Sequence, residues 1–383
     1  MSIYYTCEDI RRAMCRHQKC QCHDDFARET GGDRLILHRV IIPSWKLLTL
    51  VFILAAFCAA AATPVDPSLV PSIFAPESIP AHSISELSHF VLAVTGGIFL
   101  VVFGLIAYAA IRFRRRANDD GREPAQVYGS NPVEVAWTVV PLLIVLVLAL
   151  ATARVIHEIQ DAPRPAAALD VQVIGHQWWW EIRYPKLGIV TANELHVLIS
   201  DERKRAPTFL ELRSADVVHS FWVPRLAGKT QLVPNRVNQM WIEPTHTGRF
   251  FGQCGDYCGT EHAKMLLRVY VHTPEDFERW VNQQKSTATN DPTVAAGRLV
   301  FERTACVNCH VVNGTVGDGR FGPDLTHLMG RETLGAGALK NSPENLHAWI
   351  ENPGQFKPGV LMPAMNLSTP ELDQLVAYLT TLK

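Results

Sequence analysis

FGQCGDYCGTEHAKM, residues Phe251–Met265, sets two cysteines, a histidine and a methionine within twelve positions. Cys254 and Cys258 are four apart, but Gly255 and Gly259 oppose a helix there. A loop instead can turn both sulfurs toward one point. In an oxidising compartment a disulfide is one reading of such a pair. His262 and Met265 argue for metal: a thioether binds zinc poorly, whereas thiolate, imidazole and thioether together suit copper that cycles between one-electron states. A further histidine must then come from elsewhere in the fold, and His219 in ADVVHSFWVPRLAGKTQLVPNRVN is the candidate. Taken alone, a histidine on an apolar strand is more often a buried core residue than a ligand.

Around this loop the chain alternates with period two. Leu169, Val171 and Val173 interleave with Asp170 and Gln172, the pattern of a half-buried strand. Strand-like runs recur at VTANELHVLIS, PTFLELRS, QMWIEP and MLLRVYV, separated by Gly, Pro and Asn turns. They predict an antiparallel sandwich or barrel. Thr273 before Pro274, Glu275 and Asp276 predicts a helix start, with the helix running to about Gln284.

The first half of the chain is apolar in three stretches. Leu47–Ala62 is preceded by Arg34, Arg39 and Lys46 and ends in small residues, the build of a secretory signal. The alternative is an uncleaved anchoring helix, although the stretch is short for a span. Leu87–Ile111 carries no acid, Lys or Arg and is long enough to cross a bilayer. Ser83 and Glu86 have the spacing of a capping box at its start. RFRRR (Arg112–Arg116) follows, and arginines beside a span belong on the cytoplasmic side. Val133–Ile156 returns across the membrane, its Pro141 tolerable in a membrane helix. Everything after it then lies outside the cytoplasm. Glu134, at the cytoplasmic end of this second span, reads most simply as a solvated interfacial carboxylate.

DVVHSFWVP with Lys229 and Pro234, CGDYCGTEHAKM and the upstream GHQWWWEIRYP together resemble subunit II of the haem-copper cytochrome c oxidases. The resemblance runs from about residue 83 to 281 and implies two spanning helices before a cupredoxin-like domain. It implies a binuclear copper A centre bridged by Cys254 and Cys258, with His219 and His262 each on one copper, Met265 a weak ligand and the carbonyl of Asp256 the last. The family's usual glutamate is replaced by Asp256, which puts in doubt the side chain's contact to a magnesium ion at the subunit I interface. By motif position Trp178 resembles the tryptophan through which electrons reach the copper, and Glu134 a carboxylate at the mouth of a proton path. Of the three tryptophans 178–180, core packing is expected to claim at least one.

Beyond a polar linker, Gln284–Pro292, stands CVNCH, Cys306–His310, the attachment signature of a c-type haem. Two thiols add to the porphyrin vinyl groups, and His310 is aimed at the iron. A zinc knuckle is the competing reading, but no second ligand pair follows at finger spacing. Helices are predicted at 293–304, from Ser342 and from Thr369. FGPDLTHL and KPGVLMPAM resemble the haem-enclosing loops of class I cytochromes c. Met362 is the expected second axial ligand, Met365 the alternative, and His327 and His347 are read as structural.

The whole is a multidomain chain: an extension and signal segment at 1–62, a transmembrane hairpin at 83–160, an all-β cupredoxin-like domain at 169–284 and an all-α cytochrome c domain at 292–383. This fusion looks like subunit II of a bacterial caa-type oxidase. The resemblance implies a multi-pass protein of the bacterial inner membrane with its metal domains outside, partnered by subunits I and III and by cytochrome c or another donor. Feeding a nitric oxide reductase, or serving as a tethered carrier, are the competing functions. A net charge of −1 gives no basis for nucleic-acid binding. Cys7, Cys15, Cys20 and Cys22 in the tail match no metal-site spacing.

Overall fold

A computed structural model describes residues 71–114, 123, 126–162, 164–166, 168–200, 205–288 and 291–383. The 1–62 segment, with its signal-like stretch and tail cysteines, lies outside the described residues. Among the described residues, helices α1 (Ile79–Arg112) and α2 (Asn131–Gln160) are the two apolar elements long enough to cross a membrane. At about 1.5 Å per residue each exceeds the ~30 Å hydrocarbon core. Their apolar side chains point outward, as lipid or a membrane partner requires.

The capping box expected at Ser83 and Glu86 is not the start of α1. The helix begins a turn earlier, after Ser78, with Pro80 in its first turn. The cause is tertiary. Ser78 Oγ accepts from Glu243 N at 2.9 Å, and Ile79 N donates to Glu243 O at 3.2 Å. Trp241 Nε1 donates to Ile159 O at 2.6 Å at the end of α2, so both helices are tied to the β domain that follows.

Among the described residues that domain holds ten strands: β1 (Leu169–His176), β2 (Trp179–Tyr184), β3 (Ile189–Ala192), β4 (Glu194–Leu198), β5 (Thr208–Ser214), β6 (His219–Trp222), β7 (Thr230–Leu232), β8 (Asn238–Ile242), β9 (Gly248–Cys254) and β10 (Leu266–His272). They form two five-stranded sheets, ordered β3-β2-β1-β5-β8 and β4-β10-β9-β6-β7. Val171, Val173, Ile182, Leu212, Phe221 and Val269 are among the side chains buried in the core of the sandwich. Each such side chain contributes roughly 1.5–3 kcal/mol by leaving water. The sheets are mixed, not antiparallel as the turn spacing suggested: β1 pairs β5, and β10 pairs β4, in parallel. The run VTANELHVLIS is accordingly two strands in different sheets. Asn193, at φ +63°, breaks it and secures the corner by accepting from Trp180 N at 2.9 Å. Helix α3 (Pro274–Gln284) closes the domain, capped as expected by Thr273, whose Oγ1 accepts from Asp276 N.

The C-terminal part is helical: α4 (Ala295–Arg303), α5 (Cys306–Cys309), α6 (Pro343–Glu351), α7 (Pro353–Phe356) and α8 (Thr369–Leu379). A two-residue ribbon, Thr333–Leu334 with Leu339–Lys340, is its only sheet among the described residues. Helices α4 and α8 cross almost backbone to backbone. A Cβ on Gly297 would stand 1.9 Å from Gln374 O, so no larger residue fits there.

This helical part docks on the β4, β9 and β10 side of the sandwich through polar contacts. Glu332 accepts from Arg249 and Tyr270, and Glu194 Oε1 accepts from Glu332 N at 2.7 Å. Leu266 N donates to Ala336 O at 3.0 Å. Burial pushes the Glu194 carboxyl up to about 7, although the Glu332 N–H and nearby arginines oppose this. A carboxyl so raised supports the fold fully below its ordinary 4.5 and loses that support as pH climbs through about 7. Relative to Glu194→Gln, the parent chain should lose on the order of 3 kcal/mol across that window. Denaturant unfolding at a series of pH values checks it; a pH-independent difference contradicts it.

Candidate metal centre and haem site

Two neighbouring strands bring the cysteine loop to His219. β9 ends at Cys254, the loop follows, and β10 resumes at Leu266, with Cys254 N donating to Met265 O at 3.1 Å across the neck. β6, which opens with His219, pairs with β9 at Phe221 and Cys254, and Gly255 N donates to Ser220 O at 2.9 Å. The sheet register thus delivers the distant histidine beside the thiols.

Five predicted ligand side chains converge here. Cys254 Sγ lies 3.8 Å from Cys258 Sγ and 3.9 Å from His219 Nδ1. Cys258 Sγ lies 3.6 Å from His262 Nδ1 and 3.9 Å from Met265 Sδ. The carbonyl oxygen of Asp256 is 3.2 Å from Cys254 Sγ. The cysteines are free thiols, so the disulfide reading fails: a bridge needs sulfurs about 2.05 Å apart. Two metal–thiolate bonds of about 2.3 Å do span the observed gap. Cys254, Cys258, Met265 and His219 are buried, so the cluster is shielded from water.

The unmetallated pair shares a proton unequally. A hydrogen bond from the Cys258 thiol holds Cys254 well below the ordinary thiol range, and the Cys254 thiolate in turn raises Cys258. One thiolate is therefore ready at neutral pH, and binding a metal displaces the second proton.

Asp216 supports the cluster, a role that sequence reasoning missed. Its Oδ1 lies 2.8 Å from His219 Nε2, which sets the tautomer: Nε2 carries the proton, and the Nδ1 lone pair faces Cys254. Its Oδ2 accepts from Gln177 N at 2.7 Å, tying the same carboxylate to the residue before Trp178. The local signal was the D-x-x-H spacing of Asp216 and His219. Gly175 is also required, since a Cβ there would stand 2.8 Å from the His219 ring.

Trp178 lies against the loop, 8% exposed, with Nε1 donating to Cys258 O at 3.1 Å. Gly259, at φ +123°, makes room for it: a Cβ would meet the indole at 2.9 Å. Trp180 is wholly buried in the sandwich core, and Trp179 stacks on His176. Asp256 is different from its neighbours. Its carboxylate accepts from Lys229 Nζ at 3.0 Å and Gln231 Nε2 at 2.8 Å, so both oxygens are engaged. Glu134 stands apart from all of this, exposed in the first turn of α2, where its Oε1 accepts from Ser130 N at 3.3 Å.

At the other site, α5 presents Cys306 and Cys309 as free thiols one helical turn apart. His310 Nδ1 donates to Pro323 O at 2.7 Å, which leaves Nε2 as the metal-binding nitrogen. Gly322 clears space for that ring, since a Cβ would be 2.5 Å from it. Arg331 donates to Asp324 O, and its Nε has no hydrogen-bond partner among the described residues, as suits a haem propionate. Met362 and Met329 pack against the helical core; Met365 is half-buried outside it. His327 Nδ1 bonds Lys383 O at 2.7 Å, and His347 lies 3.3 Å from Asp373.

Membrane-length helices, a cupredoxin-like sandwich with a thiolate-rich centre and a cytochrome c region define a membrane-anchored electron-transfer subunit. The family description "Cytochrome C oxidase subunit II, periplasmic domain" matches residues 169–271, its transmembrane domain 73–155, and "Cytochrome c" 294–383. A cytochrome c oxidase subunit 2 of Alkalihalophilus pseudofirmus is 35% identical over 78% of this chain and 85% of its own. Another, of Bacillus subtilis, is 29% identical over 90% of this chain and 99% of its own. The solved periplasmic domain of subunit II from Bradyrhizobium japonicum is 28% identical over 32% of this chain and 96% of its own, with a TM-score of 0.29. The chain belongs to the cytochrome c oxidase subunit II family. Its oxidase domain implies copper A, its cytochrome domain haem c, and its family a place beside subunit I of a haem-copper oxidase.

Asp216→Ala should weaken copper binding about 10–100-fold by releasing His219 from its tautomer and orientation. Chelator competition measures this; an unchanged affinity contradicts it.

Proposed function

We propose that this chain is the electron-input subunit of a terminal oxidase. Its residues would hold haem c and a binuclear copper A centre, which would supply one-electron chemistry between cytochrome c or another donor and a haem of subunit I, the site of oxygen reduction and proton pumping. The carrying observation is the convergence of His219, Cys254, Cys258, His262 and Met265 on one buried point beside Trp178. Cys254 and Cys258 would serve as bridging thiolates, His219 and His262 as terminal nitrogens, and Met265 and the Asp256 carbonyl as weak ligands. Such a buried, pre-assembled donor set keeps ligand movement small when the charge changes, as one-electron transfer requires.

Cys306 and Cys309 would hold the haem and His310 and Met362 would bind its iron, a pairing that raises a haem's potential. Trp178, hydrogen-bonded to Cys258 O, is the route into the copper loop. Glu134 lies at the mouth of a proton path into subunit I, and subunit III completes the complex. The metal domains would lie on the outer side of a bacterial inner membrane, an orientation that the arginines after α1 support. The parts fall at 83–160, 169–284 and 292–383. A magnesium ion at the subunit I interface would share the Asp256 carboxylate with Lys229 Nζ and Gln231 Nε2, each of which uses one lone pair of one oxygen.

Purification of the chain with its membrane partners should yield a complex that consumes oxygen when given a reduced donor, while the isolated chain takes up electrons and consumes none. Turnover of nitric oxide without oxygen, or oxygen uptake by the isolated chain, contradicts the assignment.

A further inference from the structure

One lysine of the cytochrome domain is used by nothing described so far. Lys357 is 2% exposed, and among the described residues no carboxylate lies within ion-pair distance of it. Its Nζ donates to Trp178 O at 2.7 Å, Lys264 O at 3.0 Å and Gly335 O at 3.1 Å. Three N–H bonds meet three carbonyls, the full capacity of an ammonium. Two of those carbonyls belong to the copper domain and one to the haem domain. Burial draws the group down to about 8, partly opposed by Glu261, so it stays cationic at neutral pH. A buried cation is costly unless fully bonded, so such a tripod strongly prefers one arrangement.

The acceptors are close to the metal site. Trp178 bonds Cys258 O through its indole, and Lys264 sits between His262 and Met265. The grip is reciprocal. Lys264 Nζ reaches back to Phe356 O, the residue before Lys357, at 2.6 Å.

We propose that Lys357 is a positioning residue for electron transfer: its ammonium, bonded to Trp178, Lys264 and Gly335, holds the haem domain against the copper loop in the arrangement that electrons cross. This rests on the relay function proposed above. It makes the cytochrome domain a fixed terminal of the wire and not a mobile carrier.

The test uses the full chain in its membrane complex, loaded with copper and haem. A photoexcited ruthenium complex injects an electron into haem c, and the onward step is followed optically. Lys357→Met should slow haem-to-copper transfer about tenfold or more, as small displacements of reacting partners do. Both absorption spectra, and the reduction of the haem by ruthenium, should stay as in the parent. Transfer at the parental rate overturns the role of Lys357. A parent that shows no haem-to-copper transfer overturns the relay reading itself, and this proposal with it. Should Lys357→Met lose either spectrum, Lys264→Met decides: it removes the return bond to Phe356 O and a 3.6 Å contact to Glu261 from a half-exposed side chain. Slowed transfer with intact spectra supports the clasp, and an unchanged rate overturns it.

Discussion

Two buried thiols must be kept close enough to share metal ions yet apart enough not to close on each other. The separation of 3.8 Å between Cys254 and Cys258 is set by backbone, not by the sulfurs themselves. β9 and β10 pin the loop at its neck, and β6 pins its first turn through Ser220 O. The same β6 pairing places His219, and Asp216 then turns that ring. Trp178 reaches the loop only because Gly259 has no side chain. The remaining features of the site follow from holding this one loop in a stiff sandwich.

The second domain is attached to that loop and not merely tethered by the 284–292 linker. Glu332 and Glu194 join the two parts at the sheet edge, and Lys357 and Lys264 join them at the loop. Buried polar contacts of this kind, each satisfied only in one geometry, favour a single docked arrangement over a set of loose ones. A redox wire benefits from that uniqueness more than from raw stability.

Local features were readable from the amino-acid order. CVNCH and the Cys254–Met265 loop announce their chemistry because the ligands lie within a few residues of one another. The alternation at Leu169–Val173 and the Thr273 cap likewise depend only on neighbours. What escaped depends on partners far along the chain. Ser78 starts α1 because Glu243, 165 residues away, fixes its side chain. The parallel pairs depend on how the chain crosses between sheets at Asn193, which a period-two pattern cannot reveal. Lys357 meets Trp178 across 179 positions and reads in sequence as an ordinary surface lysine. His219 stood between the two cases: its burial was legible, and its ligand role rested on family resemblance.

The most direct measurement is the metal and haem content of the purified outer fragment beginning near Leu169, together with its absorption and electron-spin spectra. The account predicts two coppers and one covalent haem per chain, with one unpaired electron shared between the coppers. A single zinc in their place, or a quantitative Cys254–Cys258 disulfide in metal-loaded protein, would contradict it.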